Sequence, residues 1–249
     1  MKVELGQKSV TGASREANED RCLVAVPSHD GNGVRAVLAV ADGMGGHAKG
    51  EVASSIAVEQ VEMALLDGAE TLGAQLGSDP AAFISALMSR INDAILEASQ
   101  AAGHAGMGTT LTLAVLSGSE LLVGHVGDSR AYLINEAGIQ RLTHDHNWPG
   151  ELEAVGQISA EEAMTHPRRN VLTRCLGATP NVRPDIYRIP IYIGNQVMVC
   201  SDGLTGAVSD AEIAELLLRN APQTACDALV DLAVKRGSSD DITVVALRI

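Results

Sequence analysis

The residues of this chain best placed to do chemistry are aspartates at the ends of apolar runs. RAVLAVA leads directly into Asp42-Gly43-Met44-Gly45-Gly46-His47, and QVMVC into Ser201-Asp202-Gly203-Leu204. LLVGHV reaches Gly127-Asp128-Ser129-Arg130 in the same way, Asp240-Asp241 immediately precede ITVVAL, and Arg15-Glu16-Ala17-Asn18-Glu19-Asp20 stands ahead of another short apolar run. A single Asp-Gly pair is ordinary turn chemistry. The same corner repeated along one chain points to a cluster. Carboxylates gathered at the edge of a core repel one another unless a cation neutralises them. Oxygen ligands with no Cys-His set beside them select hard ions, Mg²⁺ or Mn²⁺, over Zn²⁺. Gly43 permits a turn sharp enough for its own carbonyl to face the same ion. The chemistry implied is the binding of hard divalent cations by acids gathered from the corners at Asp42, Asp128, Asp202 and Asp240 and from Glu19-Asp20.

The elements that must position these acids are legible from periodicity. Runs rich in β-branched residues at 35–40, 110–116, 121–126, 197–200 and 242–247 read as strands buried on both faces. Short turns at Ser117-Gly118-Ser119 and at Asn135 to Gly138 favour antiparallel hairpins. Helical spacing joins Ala53, Ala57, Val61, Ala64 and Leu65, then Phe83, Leu87, Ile91 and Ile95 after Asp79-Pro80. A second block starts at Ser209, with Glu212 as capping partner, and runs through Ile213, Leu216 and Leu217. After Pro222 the pattern repeats at Ala225, Leu229, Leu232 and Ala233. Two helix pairs among hairpin-linked strands predict an α+β fold, a four-layer α/β/β/α sandwich of two antiparallel β-sheets flanked by helix pairs. No linker or repeat divides residues 1–249, so one domain is expected. A polar, irregular excursion at about 146–180 reads as a functional flap.

The chain has 249 residues, 46% of them hydrophobic and only 2% aromatic, so aliphatic packing must build its core. A formal charge of −13 argues against a broad nucleic-acid or anionic-membrane footprint. It also requires local cations wherever an anionic substrate binds. Cys22, Cys175, Cys200 and Cys226 show no metal or redox spacing and read as buried reduced thiols. With neither a signal-peptide core nor a run of about 20 apolar residues, the expected location is the cytoplasm.

The order of the motifs narrows this reading. Arg15-x-x-Asn18-Glu19-Asp20, DGMGGH (42–47), GTT (108–110), GDSR (127–130), LTHDH (142–146), HPRRNVLTRCLG (166–177), SDGL (201–204) and DDITVV (240–245) together resemble the PP2C-type, or PPM, metal-dependent serine/threonine protein phosphatases in their compact bacterial form. The resemblance runs from about residue 8 to 249. It implies the same four-layer sandwich, with Asp42 bridging two Mn²⁺ or Mg²⁺ ions. Gly43 would lend its carbonyl to one ion, and Asp202 and Asp240 would complete the protein ligands of the other. Glu19 and Asp20 would hold metal-bound waters, and Asp128, helped by Asp202, would serve a weaker third site. Arg15 would clamp the phosphate while a metal-bridging water attacks phosphorus. The implied partners are phosphorylated proteins and a cognate Ser/Thr kinase, and the implied state is a monomer.

Three positions depart from the family pattern. Met44 stands where some members carry a histidine acid, with His47 nearby but unassigned. Asp241 replaces the usual asparagine, where it would either strengthen metal binding or face solvent. Asn147-Trp148-Pro149-Gly150 is unusual, and Trp148 would contact substrate or pack the flap. A zinc site at His144 and His146 lacks a third ligand. Two other functions fit the same fold. A non-catalytic binding module would be free to lose metal acids, yet all are present. A small-molecule phosphate hydrolase would be separated by its preference for metabolites over phosphopeptides.

Overall fold

The computed structural model of the chain describes residues 3–27, 33–45, 49–67, 79–100 and 106–249. One sheet holds β1 (Glu4–Val10), β11 (Ile242–Arg248), β10 (Gln196–Cys200), β7 (Arg130–Asn135) and β8 (Gly138–Arg141), in that order. The other holds β2 (Asp20–Ala25), β3 (Val34–Met44), β5 (Leu111–Ser117), β6 (Glu120–Val126) and β9 (Asp185–Pro190), with the short β4 (Gly108–Thr109) paired to the end of β3. Every pairing is antiparallel. The two sheets stack, and helices cover their outer faces.

Why the strands are apolar on both faces follows from the two-residue period of a strand. On β3, Ala36, Leu38 and Val40 point into the core between the sheets, whereas Val37, Ala39 and Ala41 point to the helices outside. On β11, Val245 and Leu247 enter the inter-sheet core, while Ile242, Val244 and Ala246 meet the other helical layer. Helices α1 (Lys49–Glu62) and α2 (Pro80–Ser99) supply the first outer layer. Helices α6 (Asp210–Arg219) and α7 (Pro222–Lys235) supply the second. The four-layer expectation therefore holds, with three aliphatic cores in which Tyr132 is the bulkiest of the largest fully buried side chains.

Local signals act as expected at most helix ends. Asp79 caps α2 by accepting the Ala82 N–H, with Pro80 in the first turn. The Ser209 N–H and hydroxyl both donate to Glu212 Oε2 at the start of α6. The buried stripe of α2 is Ile84, Leu87, Met88, Ile91 and Ile95, so Phe83 lies at its half-buried margin. Periodicity alone does not reveal β1 and β9, because both are sheet edges that mix polar with apolar side chains. All four cysteines are free thiols. Cys200 and Cys226 are buried, but Cys22 and Cys175 only partly so. Among the described residues, no helix is long and apolar enough to cross a membrane.

Candidate active site

The ends of β3, β6, β10 and β11 and two loops meet at one edge of the sandwich. Pairing of β2 with β3 sets Asp20 directly opposite Asp42. Across the sheet, the Asp42 N–H donates to Thr110 Oγ1 at 3.0 Å, and the Asp42 carbonyl accepts from the Thr110 N–H and the Thr109 hydroxyl. The end of β3 is thereby pinned, and the Asp42 carboxylate has a fixed origin. Gly43 follows because nothing larger fits: a Cβ there would lie 2.3 Å from the Gly50 carbonyl oxygen and 2.5 Å from that of Glu19. Asp202 opens the one-turn helix α5 (Asp202–Thr205), held against the 240–241 corner by Gly203, where a Cβ would lie 2.0 Å from the Asp241 carbonyl oxygen.

The resulting cleft is walled by Arg15, Glu19, Asp42, Gly43, Asp128, Asp202 and Asp240, together with Thr110, Asn170 and Leu172. Seven of the eight predicted site residues thus share one wall. The eighth, Asp20, lies beneath it: it is 2% exposed, and its Oδ2 accepts from the Ser201 hydroxyl at 2.8 Å. Arg15 turns its fork onto Asp240 Oδ1, with Nε at 2.9 Å and Nη2 at 2.5 Å, and stands 3.7 Å from Glu19. Asp128 is fixed by the Asn147 amide, whose Nδ2 donates to Asp128 Oδ2 at 3.1 Å. The same Asn147 caps helix α3 (Trp148–Ala154) through its Oδ1, and the short α4 (Ala160–Thr165) follows within the excursion. A single residue therefore joins the excursion to the acidic cleft.

The electrostatics are those of crowded anions that Arg15 and Arg130 offset only in part. Burial, then the charges of Asp20, Asp202, Asp128 and Asp240, push the Asp42 carboxyl well above its ordinary range. Burial raises Asp20 to about 7, against hydrogen bonds from Thr243 and Ser201 and with a further push from Asp241 and Asp202. Asp202 rises to about 6, through burial and then Asp240. Asp128 is raised by burial and by Asp202.

Two buried oxygens, Asp20 Oδ1 and Asp202 Oδ1, have no hydrogen-bond partner. Such orphans are rare in folded proteins, and a cation is one thing that satisfies them. Among the described residues, no three His, Cys, Asp or Glu side chains close around one point. The set therefore does not form a closed tetrahedral zinc shell. It fits hard divalent ions that keep part of their hydration.

The remaining sequence expectations fall out as follows. Asp241 neither faces solvent nor enters the cleft wall: it is 3% exposed and accepts the Gly12 and Glu19 N–H groups. His144 is exposed while His146 is buried, so the two do not share a face. His146 Nδ1 accepts the Gly127 N–H at 3.1 Å, which leaves the ring proton on Nε2, 3.0 Å from Asp185. Trp148 is half-exposed, with the Arg168 guanidinium 5.5 Å over its ring. Met44 lines the cleft, and His47 lies outside the described residues. Sequence reasoning passed over Asn147 as a ligand-positioning group. A helix-capping asparagine just before Trp-Pro was the only signal for it.

A four-layer antiparallel sandwich that gathers carboxylates and the Arg15 guanidinium at a shared sheet edge is the arrangement a metal-dependent phosphohydrolase needs. The family model for protein phosphatase 2C matches residues 11–232. The serine/threonine phosphatase stp of Listeria innocua is 34% identical over 238 residues, covering 92% of this chain and 93% of that protein. Among solved structures, the S. agalactiae serine/threonine phosphatase superposes with a TM-score of 0.88 at 32% identity, covering 100% of both chains. The catalytic domain of the phosphatase PstP, solved in complex with two manganese ions, superposes at 0.84 and 32% identity over 99% of this chain and 97% of that one. The chain belongs to the protein phosphatase 2C family and is a protein phosphatase of the serine/threonine class.

Proposed function

We propose that the chain hydrolyses phosphoserine and phosphothreonine in proteins, with two Mn²⁺ or Mg²⁺ ions held in the acidic cleft. The observation that carries this is the pair of buried, unpartnered oxygens, Asp20 Oδ1 and Asp202 Oδ1, among carboxylates whose mutual repulsion asks for a cation. The manganese ions in the PstP structure support the ion's identity. Asp42, the Gly43 carbonyl, Asp202 and Asp240 would hold the ions, with Glu19 and Asp20 orienting their waters and Asp128 serving a weaker third position. When bound, the ions supply an activated water and neutralise phosphoryl charge.

The chain's own groups do the rest. Arg15 presents a planar fork that suits two phosphate oxygens, and it exchanges Asp240 for the substrate when phosphate enters. It stands on the cleft wall itself, where an acidic chain of net charge −13 requires a cation. Thr110 and Thr109 keep the end of β3 from yielding as charge accumulates. Asn170 and Leu172 bring the 146–180 excursion to the cleft rim, which suits a flap that meets the polypeptide around the phosphoresidue. The reading extends to one domain across 1–249, a monomer, a cytoplasmic setting and a cognate Ser/Thr kinase, supported by free cysteines and the family resemblance.

The test is hydrolysis of a phosphothreonine peptide and of an aryl phosphate in Mn²⁺. Chelation should abolish both activities, and Asp42→Asn should lower kcat by about 1,000-fold or more. Turnover that survives chelation would overturn the metal reading, and a preference for phosphometabolites over phosphopeptides would overturn the protein substrate.

A further inference from the structure

The loop that carries Arg15 and Glu19 has no secondary structure of its own between β1 and β2. Something else must hold it over the cleft. The Glu19 carbonyl accepts from the Gly43 N–H at 3.2 Å and the Ser54 hydroxyl at 2.6 Å, and Asn18 donates to Ser9, while most of the loop's other outside contacts converge on residues 239–241. The Ser14 N–H and hydroxyl both donate to the Ser239 carbonyl, at 3.3 and 2.6 Å. Gly12 lies so flat on this segment that a Cβ would come within 2.3 Å of the Asp240 carbonyl carbon. The two ends of the loop are tied by one side chain: Asp241 Oδ1 accepts the Gly12 N–H at 2.8 Å, and Oδ2 accepts the Glu19 N–H at 2.8 Å. Asp241 is only 3% exposed, and both of its oxygens are engaged.

The structure assigns Asp241 as a positioning residue for the phosphate clamp, a carboxylate staple that sets the span between Gly12 and Glu19 and hence the reach of Arg15. This rests on the proposed role of Arg15. An asparagine at this position presents one acceptor oxygen and one NH₂ group. Its NH₂ would meet a backbone N–H, donor against donor, and one end of the loop would come loose. The departure from the family pattern noted at this position is therefore matched to the two donors that face it. The staple also adds negative charge next to Asp240 without lending an oxygen to the cleft wall.

Asp241→Asn keeps the side-chain shape and tests the assignment. Against a phosphothreonine peptide it should raise KM about three- to tenfold while kcat changes less than about twofold, because binding by Arg15 weakens whereas Glu19 keeps its carbonyl ties to Gly43 and Ser54. In an Arg15→Ala background the same substitution should leave KM where Arg15→Ala alone puts it. An equal rise in both backgrounds would show that Asp241 does not act through Arg15. If Arg15→Ala leaves KM unchanged, the clamp reading falls.

Hydrogen exchange in the chelated protein judges the staple apart from catalysis. The Gly12 and Glu19 amides should exchange at least about tenfold more slowly than those of the exposed Ala13, Glu16 and Ala17, and Asp241→Asn should release one of the two. Should that variant not fold, the wild-type rates decide. Gly12 and Glu19 amides as fast as their neighbours would overturn the assignment.

Discussion

Asp20 offers a test in which loss of function and gain of stability must go together. Its carboxyl is buried opposite Asp42, with Oδ1 unpartnered, and without a cation burial pushes it up to about 7, from 3.8 for an ordinary aspartate. Three units at 1.36 kcal/mol each make about 4 kcal/mol by which the ionised group disfavours the folded state. The sign follows from proton counting. Between pH 4 and 7 the folded chain binds more protons at this site than the unfolded chain, so stability in chelator falls as pH rises through that window. Above pH 7 the full penalty is present, and below pH 4 it vanishes.

Asp20→Asn removes the charge and keeps the shape. Desolvating the new amide takes back about 1–2 kcal/mol, which leaves a net gain of roughly 2–3 kcal/mol at pH 8. For a chain of this size that is roughly 5–10 °C in Tm. Urea unfolding in EDTA at pH 8 and pH 4 measures it: the variant should be the more stable at pH 8 and, with the charge penalty gone but the amide's cost remaining, about 1 kcal/mol the less stable at pH 4. Excess Mn²⁺ should narrow the gap at pH 8 or reverse it, because wild type gains binding free energy that the variant partly lacks, and phosphatase activity should fall. A variant less stable than wild type in EDTA at pH 8 would refute the claim that these acids repel one another in the metal-free fold.

Three further outcomes follow from packing around the cleft. Gly43→Ala forces a Cβ to within 2.3 Å of the Gly50 carbonyl oxygen, so thermal unfolding should show a loss of about 3 kcal/mol or more. Asp145→Ala strands Arg130, whose guanidinium meets Asp145 at 2.9 and 2.7 Å with little exposure on either side chain. Urea denaturation should register about 3–5 kcal/mol. His146→Ala leaves the buried Gly127 N–H without its acceptor, while Asp185 keeps Arg174 and Tyr187 as donors. The substitution should cost about 2–3 kcal/mol and weaken Mn²⁺ binding in calorimetry, because the Gly127-Asp128 corner loses its anchor.

What the sequence could and could not disclose divides along a physical line. A strand covered on both faces must be apolar throughout, so β3, β5, β6, β10 and β11 announced themselves. The edges β1 and β9 are half-solvated and did not. The acids at strand ends were equally legible, because an Asp-Gly corner after a buried run is a local event. Their convergence was not. It depends on a register that sets Asp20 opposite Asp42 and on a loop from the chain's start lying over its end. Local pattern carries no information about such pairings, and only the order of motifs, compared with a known family, stood in for it.

Asp241 shows the limit most sharply. As a letter beside Asp240 it was one more acid, either a metal helper or a solvent-facing charge. What decides its role is which donors face it, and those belong to residues 229 and 222 positions away. Both are backbone N–H groups, present at every residue but proline, so no side-chain signature could have marked them. Positioning groups in this cleft are therefore hidden in kind: Asn147, Thr110 and Asp241 work through backbone or amide contacts, whereas the groups they hold are charged and visible in the sequence. Substitutions that keep every expected metal acid yet change the clamp's reach should then be found at such positions first, and Asp241→Asn is the plainest of them.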